Sequence, residues 1–257
     1  MKVAVCMSGQ PRTWETCYES WRALLAQYDT IDFFCYMWDY NSPPQHGDML
    51  GNLSEIAITN EEQQRFIEKI NPKRISFQSK KSFPIQNGVK KPLIPYEHMR
   101  SQFYGLWQAS LLKRTYELEN NIEYDVVLRI RPDTYFPKQM NVIPTIKPST
   151  IYFQQYQDLS KFYGTSPNQL AFSDQFFMAD SQTFDKFAQF YCEMDYLDED
   201  DIFPAEYKKP DPITPEWIIG YYATLRNIPI AILKNNILVL IRRGKDYPGK
   251  LQRGEIL

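Results

Sequence analysis

Residues 122–136 read IEYDVVLRIRPDTYF. Val126, Val127, Leu128 and Ile130 make a β-branched and apolar run, the pattern of a buried strand. The run meets Arg131-Pro132-Asp133. Proline has no N–H for a ladder and holds the residue before it extended, so regular pairing stops there. Asp133, Arg129 and Arg131 are thereby expected at the carboxyl end of a central strand. In open α/β sheets, ligands bind outside that edge. A carboxylate among guanidinium groups suits a phosphate-bearing ligand, alone or with a divalent cation.

The flanking sequence supplies the rest of such a sheet. KVAVCMSG (2–9) reads as a buried strand and Gly9-Gln10-Pro11-Arg12 as a turn. Residues 13–27 follow as a helix with Thr13 at its N-cap, and IDFFCYMWDY (31–40) as a second strand. Strand, helix, strand over forty residues is a βαβ opening, which predicts parallel pairing. Residues 59–72 read as a short amphipathic helix capped by Thr59 or Asn60 and closed by Pro72. RISFQ (74–78) is a short strand, and 97–120 is the longest helical pattern. Its apolar positions are Met99, Phe103, Leu106, Trp107, Leu111 and Leu112. Beyond the Arg-Pro-Asp corner, strands are predicted at 149–156 and 171–180, and helices at 181–194 and 215–227. One or two strands follow within 228–241. With no internal repeat or low-complexity linker, one domain over 1–257 is the simplest organisation.

Composition narrows the class. A hydrophobic fraction of 43% is ample for a core, and 18 Tyr, 16 Phe and 5 Trp can fill it or line a cleft that stacks rings. A formal charge of -2 lacks the basic excess of a nucleic-acid binder. No apolar run reaches the ~20 residues of a membrane span. MKVAVCMSGQPR is interrupted too soon for a signal peptide, and Cys6, Cys17, Cys35 and Cys192 form no C-x-x-C pair. A cytoplasmic chain with reduced thiols is expected. His46 and His98 are the only histidines, too few for a histidine-rich metal centre.

Three short motifs stand in order: Ser8-Gly9-Gln10-Pro11-Arg12, Arg129-Ile130-Arg131-Pro132-Asp133 and Ser173-Asp174-Gln175. Together they resemble the nucleotide-diphospho-sugar glycosyltransferases of the GT-A fold, above all a bacterial and viral branch marked by S-G-x-x-R, R-x-R-P-D and S-D-Q. The resemblance spans roughly Val3 to Ile230. It implies an α/β, GT-A-like (Rossmann-like) three-layer sandwich with a mostly parallel central sheet. It further implies transfer of a sugar from a nucleoside-diphosphate donor to a hydroxyl of a glycan or lipid-linked acceptor, as in polysaccharide biosynthesis.

The same resemblance assigns residues. Ser8, Gly9 and Arg12 fall where the family binds base, ribose and diphosphate; the alternative is an ordinary strand-to-helix turn. Asp39 ends the second strand on that edge and can accept from base or ribose, or simply make a turn. Gln102 lies on the long helix flanking the cleft. Arg129, Arg131 and, from the basic tail, Arg243 would neutralise the diphosphate. Asp133 matches the second carboxylate of the family's Asp-x-Asp, while Arg131 replaces the first. Mn²⁺ or Mg²⁺ at Asp133 is implied, held by one carboxylate plus phosphates and water. Asp174 and Glu216 are candidates for the base that takes the acceptor proton. A helix start also favours a carboxylate at Glu216, and a salt bridge to Arg129 or Arg131 is the other reading of Asp133. Two other functions fit the same chain: a sugar nucleotidyltransferase, and a non-catalytic carbohydrate-binding protein on this fold.

Overall fold

The corner at 131–134 sits at the end of the fourth strand of a central sheet. The computed structural model describes residues 1–41, 56–79, 81–84, 94, 97–136, 146–155, 172–197, 214–233 and 239–240. In chain order the elements are β1 (Lys2–Gly9), α1 (Trp14–Leu25), β2 (Thr30–Trp38), β3 (Tyr40–Asn41), β4 (Ile56–Ala57), α2 (Asn60–Ile70) and β5 (Arg74–Gln78). There follow α3 (Glu97–Asn120), β6 (Val126–Ile130), β7 (Thr134–Tyr135), β8 (Ile151–Gln155), β9 (Phe172–Ala179) and α4 (Ser181–Ala188). Last come α5 (Phe190–Glu193), α6 (Pro215–Leu225), β10 (Ile230–Leu233) and β11 (Val239–Leu240).

Among the described residues, seven strands form one sheet in the order β10–β8–β9–β6–β1–β2–β5. β1 pairs in parallel with β2 and with β6, β2 with β5, and β10 with β8. β9 alone is reversed and runs antiparallel to both β6 and β8. The mostly parallel α/β sandwich is thus present, and it is compatible with a GT-A-like, Rossmann-like fold. The 171–180 segment departs from the parallel pattern set by the βαβ opening. All eight residues of β9 are buried, so no alternation of polar and apolar residues betrays its direction.

Helices cover both faces. Val3, Val5 and Met7 of β1 point to a core with Trp14, Trp21 and Leu24 of α1 and Phe66 of α2. Ala4 and Cys6 point to the opposite core, with Phe103 and Ala109 of α3, Phe184 of α4 and Trp217 of α6. Successive side chains of a strand alternate between faces, so β1 serves both layers. At ~25 cal/mol per Å² of apolar area, a fully buried strand of this kind stabilises the fold more than any exposed one.

Local chemistry accounts for the helix ends. Thr59 caps α2: its hydroxyl accepts from the Glu62 N–H at 3.2 Å, and Glu62 accepts from the Thr59 N–H at 2.8 Å. Asn71 then closes α2 in the left-handed region at φ 49°, ahead of Pro72. Thr13 stands at the N-cap of α1, as the sequence predicts, but its side chain makes no capping bond. The predicted 181–194 helix breaks at Gln189 into α4 and α5. The buried stripe of α3 also differs from its apolar pattern. Ser110, Lys113 and Glu117 are buried, whereas Leu111 and Leu112 are only half-buried. Polar partners on α4 explain this. Lys113 Nζ donates to Glu117 at 2.7 Å, to Asp185 at 3.1 Å and to Ser181, and Ser110 donates to Asp185 at 2.6 Å.

Cys6, Cys17 and Cys35 are buried free thiols, and Cys192 is exposed. Among the described residues, no helix is long and apolar enough to cross a membrane.

Candidate active site

The corner is built by a turn and two anchors from α1. The Thr134 N–H donates to the Arg131 carbonyl at 3.1 Å, closing four residues around Pro132 and Asp133. Trp21 Nε1 donates to the Thr134 carbonyl at 2.6 Å, and the Phe136 N–H donates to Ser20 Oγ at 3.1 Å. Gly9, ending β1, passes beside this turn at φ +136°. A Cβ there would meet Pro132 Cδ at 3.4 Å, in a backbone conformation that only glycine adopts without strain.

Asp133 is 2% exposed. Arg131 grips it side-on: Nε donates to Oδ1 at 3.0 Å and Nη2 to Oδ2 at 2.9 Å. Arg12 Nη1 reaches the same Oδ2 at 3.3 Å. Arg12 itself lies in the left-handed region at φ 32°, held by its N–H donating to Asn41 Oδ1 at 2.8 Å. Arg131 also directs Nη1 at Asp174 Oδ2 across 3.5 Å.

Asp174 reaches the site because β9 is reversed. Ile130 is opposite Phe176, and the Arg131 N–H donates to the Gln175 carbonyl at 3.3 Å. The start of β9 therefore lies beside the end of β6. Gln102, on α3, donates from Nε2 to Asp174 Oδ2, while Asp174 Oδ1 is buried without a hydrogen-bond partner among the described residues. An orphaned buried carboxylate oxygen is costly, on the order of 1–3 kcal/mol, and marks a place where a donor is wanted.

Glu216 follows Pro215 in the first turn of α6, which packs on β9. Burial, and next the Asp174 carboxylate, push its carboxyl up from 4.5 to about 7; Thr214, its own backbone and Arg131 oppose the shift. Arg129 is fully inside. Its Nη1 donates to Ser8 Oγ at 2.6 Å. Burial, then the neighbouring Arg131, lower its pKa from 12.5 to about 10. Burial also disfavours the charge on Arg131, but Asp133 and Asp174 outweigh it and the net shift is upward.

The geometry thus brings Arg12, Asp133, Arg131, Asp174, Gln102 and Glu216 to one edge of the sheet, with Arg129 and Ser8 beneath. Asp133 pairs with Arg131 and Arg12; Arg129 turns to Ser8 instead. Ser8 is 1% exposed and is overlain by Gly105 of α3, where a Cβ would lie 3.2 Å from Ser8 Oγ. Asp39 accepts from Ser79 Oγ at 2.7 Å, toward the β5 side. Arg243 and the loop at 157–170 lie outside the described residues. Two contributors had no sequence signal: Asn41, which fixes Arg12, and Trp21, which fixes the corner.

No protein-family model matches this sequence, and no curated protein matches it. Among solved structures, the chain is similar to the nucleoside-diphosphate-sugar pyrophosphorylase from Vibrio cholerae RC9. The identity is 10% and the TM-score 0.47, over 97% of this chain and 99% of that one.

Proposed function

We propose that the chain is a glycosyltransferase that moves a sugar from a nucleoside-diphosphate donor to a hydroxyl of a glycan or lipid-linked acceptor. The observation that carries this reading is the Arg12–Asp133–Arg131–Asp174 array at the carboxyl edge of the sheet, its carboxylates buried and its arginines partly exposed. Guanidinium groups held by carboxylates form a preorganised anion site, and preorganised charge acts most strongly where charge develops. In sugar transfer, that place is the departing diphosphate. The acceptor oxygen bonds to the anomeric carbon as the bond from that carbon to the diphosphate oxygen breaks. The leaving group keeps the electron pair, and the arginines neutralise it.

Glu216 takes the acceptor proton in this scheme. A base works best with a pKa near the working pH, and about 7 suits that role. Asp174 shapes the field at Glu216 by raising its pKa. A sugar nucleotidyltransferase would use the same anion site, but its nucleophile is a sugar phosphate that needs no base. Ser8-Gly9-Gln10-Pro11-Arg12 also has a single glycine, against the glycine-rich loop such enzymes usually carry.

The full-length chain incubated with UDP-, GDP- and dTDP-sugars tests the proposal. Release of nucleoside diphosphate from one donor, with sugar transfer to an added glycan, supports it. Formation of nucleoside triphosphate from the sugar nucleotide and pyrophosphate would assign the chain to nucleotidyl transfer instead. Glycan binding with no turnover of any donor would make it a carbohydrate-binding protein.

A further inference from the structure

The resemblance to GT-A enzymes implies Mn²⁺ or Mg²⁺ at Asp133, and the donor set can be tested against that. Hard cations of this kind need several oxygen ligands. Both oxygens of Asp133 already accept from arginine, at 2.9 to 3.3 Å. Oδ2 of Asp174 accepts from Gln102 and Arg131. Among the described residues, no group of three or more His, Cys, Asp or Glu could hold a metal ion. Asp174 Oδ1 is the one oxygen of the two carboxylates without a partner among the described residues, a single ligand where such a cation needs several, and a cation there would sit among the guanidinium groups of Arg12, Arg129 and Arg131.

The way Arg131 is held leaves it able to do something else. A guanidinium has five N–H donors in a planar fork. Asp133 takes the edge formed by Nε and Nη2. Among the described residues, the other edge, formed by Nη1 and the second N–H of Nη2, has only the long 3.5 Å contact to Asp174. That edge matches two oxygens of a phosphate. The side chain is 18% exposed, so it reaches the surface while its partner Asp133, at 2%, does not. Asp133 is on this view a positioning residue that aims Arg131.

Resting on the sugar-nucleotide reading of the site, we infer that Arg131, backed by Arg12, takes the place of the divalent cation and grips the donor diphosphate directly, so that the chain binds and uses its donor without metal. The carboxylate that the family's pattern would place at 131 has been exchanged for a fixed positive charge, and the remaining Asp133 serves that charge.

Calorimetric titration of the full-length chain with UDP, GDP and dTDP, each in EDTA and in Mn²⁺, tests this. One diphosphate is expected to bind in EDTA with an affinity within about twofold of that in Mn²⁺. Arg131→Lys keeps the charge and loses the fork; it should weaken binding about tenfold or more, equivalent to ~1.4 kcal/mol. Circular dichroism and a melting curve confirm that the variant is folded. Arg131→Asp, which rebuilds an Asp-x-Asp, should bind only when Mn²⁺ is present. Wild-type binding that requires Mn²⁺ overturns the inference and leaves the sugar-nucleotide site standing. Unchanged affinity in Arg131→Lys overturns it as well. Absence of binding to every diphosphate under both conditions removes the sugar-nucleotide reading and this inference together.

Discussion

Gly9 shows how tightly a single residue constrains this site. A Cβ here would only touch Pro132, at 3.4 Å, but the φ of +136° strains any L side chain. Gly9→Ala should destabilise the fold by about 1–3 kcal/mol, the usual range for strain of this type. A denaturant midpoint measured beside wild type checks it, and an unchanged midpoint would show that the turn relaxes. Glu216 makes the site's pH behaviour predictable. Its folded pKa of about 7 lies above its ordinary 4.5. Between those values the folded chain keeps a proton that the unfolded chain has lost. Stability from this group is therefore full at low pH and falls as pH rises through about 7. Turnover has the opposite sign, since only the carboxylate accepts a proton. Glu216→Gln should lower transfer by roughly 10²–10⁴-fold and flatten both dependences. A pH–rate profile that keeps its rise near neutrality in the variant would assign the base to another residue.

At the scale of an element, α3 links the site to the body of the protein. Its first half presents Gln102 to Asp174 and lays Gly105 on Ser8. Its second half buries Lys113 at 0% exposure between Glu117 and Asp185. Removing one partner from a buried ionic cluster strands the others. Lys113→Met should therefore cost about 3–5 kcal/mol, far more than its hydrophobic fit returns. Chemical denaturation reads this directly; a loss below ~1 kcal/mol would mean that water reaches the carboxylates. α3 also marks a boundary of what sequence reveals. Its ends, Glu97 and Asn120, were legible from periodicity. Of its buried face, Met99, Phe103 and Leu106 were legible too; Lys113 and Glu117 were not, because lysine and glutamate ordinarily mark the solvent side and here are satisfied by α4, far along the chain.

At the scale of the molecule, binding at the sheet edge should stabilise the whole. A nucleoside diphosphate present at ~100 times its Kd adds about 2.7 kcal/mol to unfolding. For a chain of this size that raises Tm by roughly 5–11 °C. Thermal scans with UDP, GDP and dTDP identify the preferred base, and no shift with any of them counts against the site. The strand at Val126–Ile130 and its Arg-Pro-Asp corner could be read from local pattern, because proline and β-branched residues act locally. The place of Asp174 could not. It depends on the reversed β9, whose all-buried residues look alike in either direction, and on a pairing of β6 with a strand far along the chain, Ile130 with Phe176 and Val127 with Ala179. Glu216 likewise became part of the array only through α6 packing on β9. Strand order is a matter of long-range contacts, which composition and periodicity do not encode.

The uneven placement of the thiols has a practical consequence for watching this protein at work. Desolvation holds Cys6, Cys17 and Cys35 in the unreactive protonated state, and Cys192 is the one exposed thiol. Its own pKa is raised too, by burial and then by Glu193, so alkylation should proceed best in mildly alkaline buffer. A maleimide dye would then attach at a single spot in α5, without mutagenesis.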